Sequence, residues 1–208
     1  MESVATEMRK VAILIFDEVE VLDFCGPFEV FAVTGREMEQ KPFDVFTVSA
    51  GAGPVIARNG LSVNPRHTIN DCPQTDILIV PGGYGTRREM LNQALIDWIK
   101  EAAGKAELVM SVCTGSLLLA KAGLLDGASA TTHWAAMDLL RETAPNTEIR
   151  PDKQFVDNGR VMTSAGISAG IDLSLHAVSK LLGEDTAAET ARWMEYKHWK
   201  GSEYWLNE

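Results

Sequence analysis

Apolar residues along this chain fall into two alternating patterns. Short, nearly unbroken apolar runs occupy 11–16, 76–80 and 108–112. Runs of that kind read as strands covered on both faces, the pattern of a parallel sheet. Segment 43–49 alternates and is rich in β-formers, so it reads as a further strand. Segment 55–63 carries Asn59-Gly60 at its centre and reads as a hairpin. Segment 128–132 is a short strand that leads to His133. Phe155-Val156 and 160–163 flank Asp157-Asn158-Gly159, a strand–turn–strand signal. Helical patterns lie between these runs. They cover 28–33, 89–103 with apolar positions at Leu91, Leu95, Ile96 and Ile99, 117–122 with Gly123 as its stop, 135–140, and 171–182. The alternation predicts an α/β fold with a mainly parallel sheet flanked by helices. No stretch rich in Gly, Pro or Ser divides the 208 residues, so one domain over 1–208 is expected. Residues 1–9 read as a loose N-terminal tail and 197–208 as a Trp-rich C-terminal tail. The aromatic residues Trp193, Tyr196, Trp199, Tyr204 and Trp205 are expected to pack on the body or on a second subunit.

In open α/β sheets, ligands bind beyond the carboxyl ends of the strands. Four stretches fall at or just after such ends: the loop around Asp23, Pro81-Gly82-Gly83, Cys113-Thr114, and 164–170. His133 follows a fifth strand. The stretch from Glu107 to Gly123 is the centre of this pattern. Cys113-Thr114-Gly115-Ser116 joins a strand to a helix through small residues, the cysteine version of a nucleophile elbow. A thiol at a helix start is expected to ionise more readily, and the nearby N–H groups can stabilise negative charge. The competing reading is a buried structural cysteine. Asp23 sits between apolar residues ahead of Gly26-Pro27. It reads as a helix N-cap with Pro27 in the first turn, as an acid pointing into a pocket, or as both. The glycines at 82, 83 and 85 fit either close approach of a ligand or a simple tight loop.

Charge narrows the partners. A net charge of -10 argues against nucleic acid and against an anionic membrane surface. Three widely spaced cysteines match neither a disulfide framework nor a zinc pattern, so a cytoplasmic, reduced thiol protein is expected. The chain is polar through Lys10, which does not fit a signal peptide, and no stretch approaches the roughly 20 apolar residues of a membrane span.

Segments 21–27 (Val-Leu-Asp-Phe-Cys-Gly-Pro), 80–83 (Val-Pro-Gly-Gly), 111–116 (Ser-Val-Cys-Thr-Gly-Ser), 122–125, 131–134 (Thr-Thr-His-Trp) and 165–172 together resemble the ThiJ/PfpI superfamily, and within it the isonitrile hydratases. The resemblance implies a flavodoxin-like sandwich akin to class I glutamine amidotransferase domains. It implies Cys113 as nucleophile, Asp23 as its acidic partner and Thr114 as the residue that orients that acid. The N–H groups of Gly83 and Thr114 would form an anion-stabilising pocket, and Gly82, Gly83, His133 and Ile167 would contact a small-molecule substrate. The implied reaction hydrates an isonitrile to an N-substituted formamide through a thioimidate on Cys113, with Asp23 supplying a proton. It needs no metal and no cofactor, and the resemblance implies a homodimer. Many superfamily members carry His directly after the cysteine. Thr114 stands there instead, which weakens an amidase reading built on a local Cys-His pair. The chain also departs from isonitrile hydratases at Cys25, commonly Thr there, at Ser164-Ala165-Gly166, and in its tail, which lacks Pro-Pro-Phe. Two rival readings share the site: a glyoxalase-like hydratase or small-amide hydrolase, and a non-catalytic redox or small-molecule sensor. Sensor domains of some AraC-type regulators look similar in these segments.

Overall fold

The apolar runs form the centre of a parallel sheet. The structure is a computed structural model that describes residues 8–199. In chain order, β1 (Arg9–Leu14) leads to α1 (Val21–Val33) and β2 (Phe43–Ser49). The hairpin β3 (Val55–Ile56) and β4 (Ser62–Val63) follows, then β5 (His67–Thr68) and β6 (Ile77–Val80). Next come α2 (Thr86–Glu89), α3 (Gln93–Lys105), β7 (Leu108–Ser111) and α4 (Gly115–Lys121). After β8 (Ser129–Ala130), α5 (Met137–Thr143) and β9 (Glu148–Ile149) come β10 (Phe155–Asp157) and β11 (Val161–Ser164). The helices α6 (Ala169–Leu182) and α7 (Glu184–Trp193) end the described chain's regular structure.

Among the described residues the main sheet runs β10-β11-β7-β6-β1-β2-β5. All of its pairs are parallel except the β10–β11 hairpin. Every residue of β6 and β7 is buried, as the unbroken apolar runs require of strands covered on both faces. Helices α1, α6 and α7 pack on one another, while α2, α3 and α5 pack around α4. The carboxyl ends of β1, β6, β7 and β11 therefore open onto one edge, where the connections to α1, α2, α4 and α6 meet.

Several sequence expectations change in detail. β1 begins at Arg9, whose N–H bonds Pro42 O at 2.9 Å and whose guanidinium pairs with Glu107 at 2.9 Å, so Arg9 is not part of a loose tail. Residues 1–7 of that expected tail, and Tyr204 and Trp205 at the other end, lie outside the described residues. Helix α1 starts at Val21, with Glu20 at the N-cap position making no side-chain capping bond, so Pro27 stands inside the helix and Asp23 is in its first turn. Pro27 has no N–H to give the Asp23 carbonyl, and the segment stays helical because one face packs into the core. The single helix expected over 89–103 is two helices. The Asn92 side chain accepts from Leu95 N at 3.4 Å and caps α3, leaving Leu91 in the link at 83% exposure. The strand before His133 is only β8, paired with β9 outside the main sheet. Helix α7 has no counterpart in the sequence reading, because its buried residues Ala187, Thr190 and Ala191 are too small and polar to mark an apolar stripe.

Candidate active site

The elbow is built by β7 and α4. Ser111 ends the strand, Gly115 begins the helix, and Cys113 between them adopts φ 56°. A non-glycine residue in the left-handed region is strained and persists only where its surroundings hold it. The Cys113 N–H donates to Ser164 O at 3.2 Å and Ala165 O at 3.1 Å. Its carbonyl accepts from Thr132 Oγ1 at 2.9 Å and Ser116 Oγ at 3.2 Å. A side chain at Gly115 would collide with the Val80 carbonyl, so only glycine lets the turn sit against β6.

Asp23 meets the elbow from α1. Its side chain is fully buried and its Oδ2 accepts from Gly82 N at 3.0 Å. Oδ1 has no well-formed hydrogen bond, and the carboxyl faces the Cys113 thiol and the Ile167 N–H. It does not cap its own helix. Of the two readings of Asp23, the structure supports the acid that points into a site. Burial pushes this carboxyl up from 3.8 to about 7, and the neighbouring Glu20 carboxylate acts in the same direction. The Gly82 N–H, the thiol and the Ile167 N–H oppose the rise by favouring the ionised form.

The expectation of an easily ionised thiol is overturned. Cys113 is 6% exposed. Loss of hydration and the Asp23 carboxylate push the thiol up to about 12, against the Thr114 and Ile167 N–H groups that pull it down. A first helical turn cannot outweigh burial beside an acid. The two groups form a pair that disfavours a double negative charge, so as pH rises through about 7 it gives up one proton and keeps the other.

Thr114 acts differently from the expectation. Its Oγ1 accepts from Gly83 N at 2.9 Å, lies 3.2 Å from Thr86 Oγ1, and donates to Gly83 O at 3.2 Å. No hydrogen bond joins it to Asp23 among the described residues. Thr114 holds the Gly82-Gly83 loop, and that loop orients Asp23 through the Gly82 N–H. The Gly83 N–H is therefore spent on Thr114 and is not a free donor for an anion. The N–H groups that face the thiol are those of Thr114 and Ile167. A side chain at Gly82 would crowd Thr114 N and Oγ1 and stand 2.9 Å from Asp23 Oδ2.

Ile167 comes to the site on the loop between β11 and α6, at φ 55°. His133 is half-buried, accepts from Ala135 N at 3.2 Å through Nδ1, and lies against Gly166 next to Ile167. Cys25 sits two residues from Asp23 on α1, a spacing that turns it to the opposite side of the helix, where it packs on the core. Sequence reasoning missed Glu20 as a charged neighbour of Asp23 and Thr86 as a partner of Thr114. Neither has a sequence signal, since both roles depend on how loops fold over Gly83. Among the described residues no group of three His, Cys, Asp or Glu side chains is placed to hold a metal ion.

With this geometry in view, the likeness to known proteins is specific. The model of the DJ-1/PfpI family matches residues 9–180. This chain belongs to the DJ-1/PfpI family. It is 39% identical over 188 residues to an isonitrile hydratase from Pseudomonas putida, covering 90% of this chain and 78% of the relative. It is 32% identical over 178 residues to the HTH-type transcriptional regulator CdhR of Pseudomonas aeruginosa, covering 86% of this chain but only 52% of the regulator. The crystal structure of a ThiJ/PfpI family protein from Pseudomonas syringae superposes with a TM-score of 0.83 at 27% identity, covering 94% of this chain and 81% of that one. Like other DJ-1/PfpI chains of this fold, the present one pairs a mostly parallel sheet with helices on both sides. No helix among the described residues is long and apolar enough to cross a membrane.

Proposed function

We propose that this DJ-1/PfpI protein hydrates an isonitrile to an N-substituted formamide, with Cys113 as nucleophile and Asp23 as proton donor and acceptor. The observation that carries the reading is a buried acid held near neutral pKa against a strained elbow cysteine. The isonitrile hydratase relative supports the choice of substrate class.

The chemistry balances with the groups in place. The pair begins with one proton, placed on Asp23 as sulfur attacks. The terminal carbon of the isonitrile takes that proton and bonds to sulfur, giving a thioformimidate. Water then adds to the same carbon, and one of its protons passes through Asp23 to nitrogen. The C–S bond breaks, the second water proton returns to the pair, and the formamide leaves. General acid–base help of this kind is worth ~10²–10⁴-fold. The N–H groups of Thr114 and Ile167 stabilise sulfur as it leaves. The reading needs Cys113 as a free thiol, which fits a cytoplasmic setting, and a homodimer is expected. The test is steady-state turnover of an aryl isonitrile with the product identified as the formamide. Wild type should turn over and Cys113→Ala should lose at least ~10³-fold. Full turnover by Cys113→Ala sinks the mechanism.

A second reading is a ligand-sensing domain, because the chain also matches about half of a transcriptional regulator. A redox sensor is disfavoured by the same electrostatics, since oxidation selects accessible thiols of low pKa and Cys113 is neither. Tight isonitrile or formamide binding with no turnover by reduced protein would favour the sensing role.

A further inference from the structure

The buried carboxylate of Asp172 lies outside the chemistry described above. Asp172 stands in the first turn of α6 and is 9% exposed. Its Oδ2 accepts from Gln154 Nε2 and its Oδ1 accepts from Tyr196 Oη at 3.0 Å. Gln154 and Tyr196 come from opposite directions, one ahead of β10 and the other after α7. The backbone of Gln154 is tied into the same place, because its carbonyl accepts from Ala165 N at 2.8 Å. Ala165 and Ser164 in turn supply the carbonyls that hold the Cys113 N–H. The loop between β11 and α6 is thus fixed at its start by Gln154 and Cys113, and at its end by Asp172. Ile167 sits between these anchors in a left-handed conformation that it would leave if released.

We infer that Asp172 is a positioning residue: by bridging Gln154 and Tyr196 it fixes the loop over 164–168, so that the Ile167 N–H stays aimed at Cys113 and Asp23. This deepens the proposed function and rests on it for what the thiol does to a substrate. Burial favours the neutral form of Asp172, while Tyr196, Gln154 and the nearby His198 favour its charge. The charged group facing the Cys113–Asp23 pair is Glu20, which belongs to α1's cap and not to this bridge. The aromatic segment after α7 gains a role here: Tyr196 closes the bridge, and Trp199 packs against the core.

The test is the rate at which iodoacetamide modifies Cys113 at pH 8, read by mass spectrometry of its peptide so that Cys25 and Cys72 do not interfere. Losing the Ile167 donor should lower the thiolate fraction, making Asp172→Ala about tenfold slower than wild type. Tyr196→Phe removes one of the two bonds and should slow the reaction about threefold. Asp172→Asn accepts from Tyr196 and pairs with a turned Gln154 amide, so it should stay near the wild-type rate. A merely structural role gives the opposite sign, because loosening the loop exposes a buried thiol and speeds modification. Rates unchanged or faster in both Tyr196→Phe and a folded Asp172→Ala overturn the inference. If Asp172→Ala does not fold, Tyr196→Phe decides. Isonitrile turnover is measured alongside, with kcat expected to fall and KM to hold. An inactive wild type would count against the proposed reaction and leave the alkylation result intact.

Discussion

At the scale of single residues, Asp23 trades stability for chemistry. Its burial penalises the ionised carboxylate, a cost that a neutral amide would not carry. Asp23→Asn keeps the size and the acceptor for Gly82 N–H but cannot shuttle a proton. We expect turnover to fall by ~10² or more, measured as kcat/KM, while the melting temperature at pH 8 rises. Thr114→Val tests the revised role of Thr114. It leaves the buried Gly83 N–H without its 2.9 Å acceptor. We expect a loss of about 1–3 kcal/mol in denaturant unfolding, with activity reduced through Asp23's misplaced loop. The residue types of this site were legible in the sequence: Cys113, Asp23, Gly82, Thr114 and Ile167 all meet where the strand ends converge. Their electrostatics were not. The direction of the Cys113 shift depends on how deeply the thiol is buried and on Asp23 lying beside it, and a linear sequence records neither.

At the scale of elements, strands were easier to read than helix boundaries. An unbroken apolar run such as Ile77–Val80 has one sensible place in an α/β protein, the middle of the sheet. Helix ends depend on competing local bonds. Asn92 breaks the 89–103 pattern because its side chain captures Leu95 N, which periodicity cannot show. Helix α7 was missed because small buried residues carry little hydrophobic signal. Asn92→Ala should therefore destabilise by about 1 kcal/mol in chemical denaturation, with turnover unchanged. The turn between β7 and α4 is less forgiving. A methyl group at Gly115 meets the Val80 carbonyl, which is backbone and cannot swing away. Gly115→Ala should cost on the order of 3 kcal/mol, lowering the melting temperature by about 6–12 degrees, or prevent accumulation of folded protein.

At the scale of the whole molecule, the Cys113–Asp23 pair ties activity and stability to pH. In the unfolded chain Asp23 titrates near its ordinary value, and in the fold near 7. The folded state binds the extra proton between about pH 4 and about 7, so the group's contribution is fully present below about 4 and lost as pH rises to about 7. The difference corresponds to about 4 kcal/mol at most. Wild type should therefore lose melting temperature from pH 5 to pH 8 more steeply than Asp23→Asn, in matched thermal scans. Cys113 adds a loss of the same sign above about pH 9. In catalysis, kcat/KM should rise through about pH 7 as the doubly protonated pair gives way to the singly protonated one. The central claim is that the substrate's carbon becomes bonded to Cys113. The most direct measurement is intact-protein mass spectrometry of wild type, Asp23→Asn and Cys113→Ala quenched during turnover of an aryl isonitrile. The account predicts a transient mass gain of one isonitrile located on Cys113, formed more slowly in Asp23→Asn and absent in Cys113→Ala. Formamide production with no adduct on Cys113, and with Cys113→Ala still active, would contradict it.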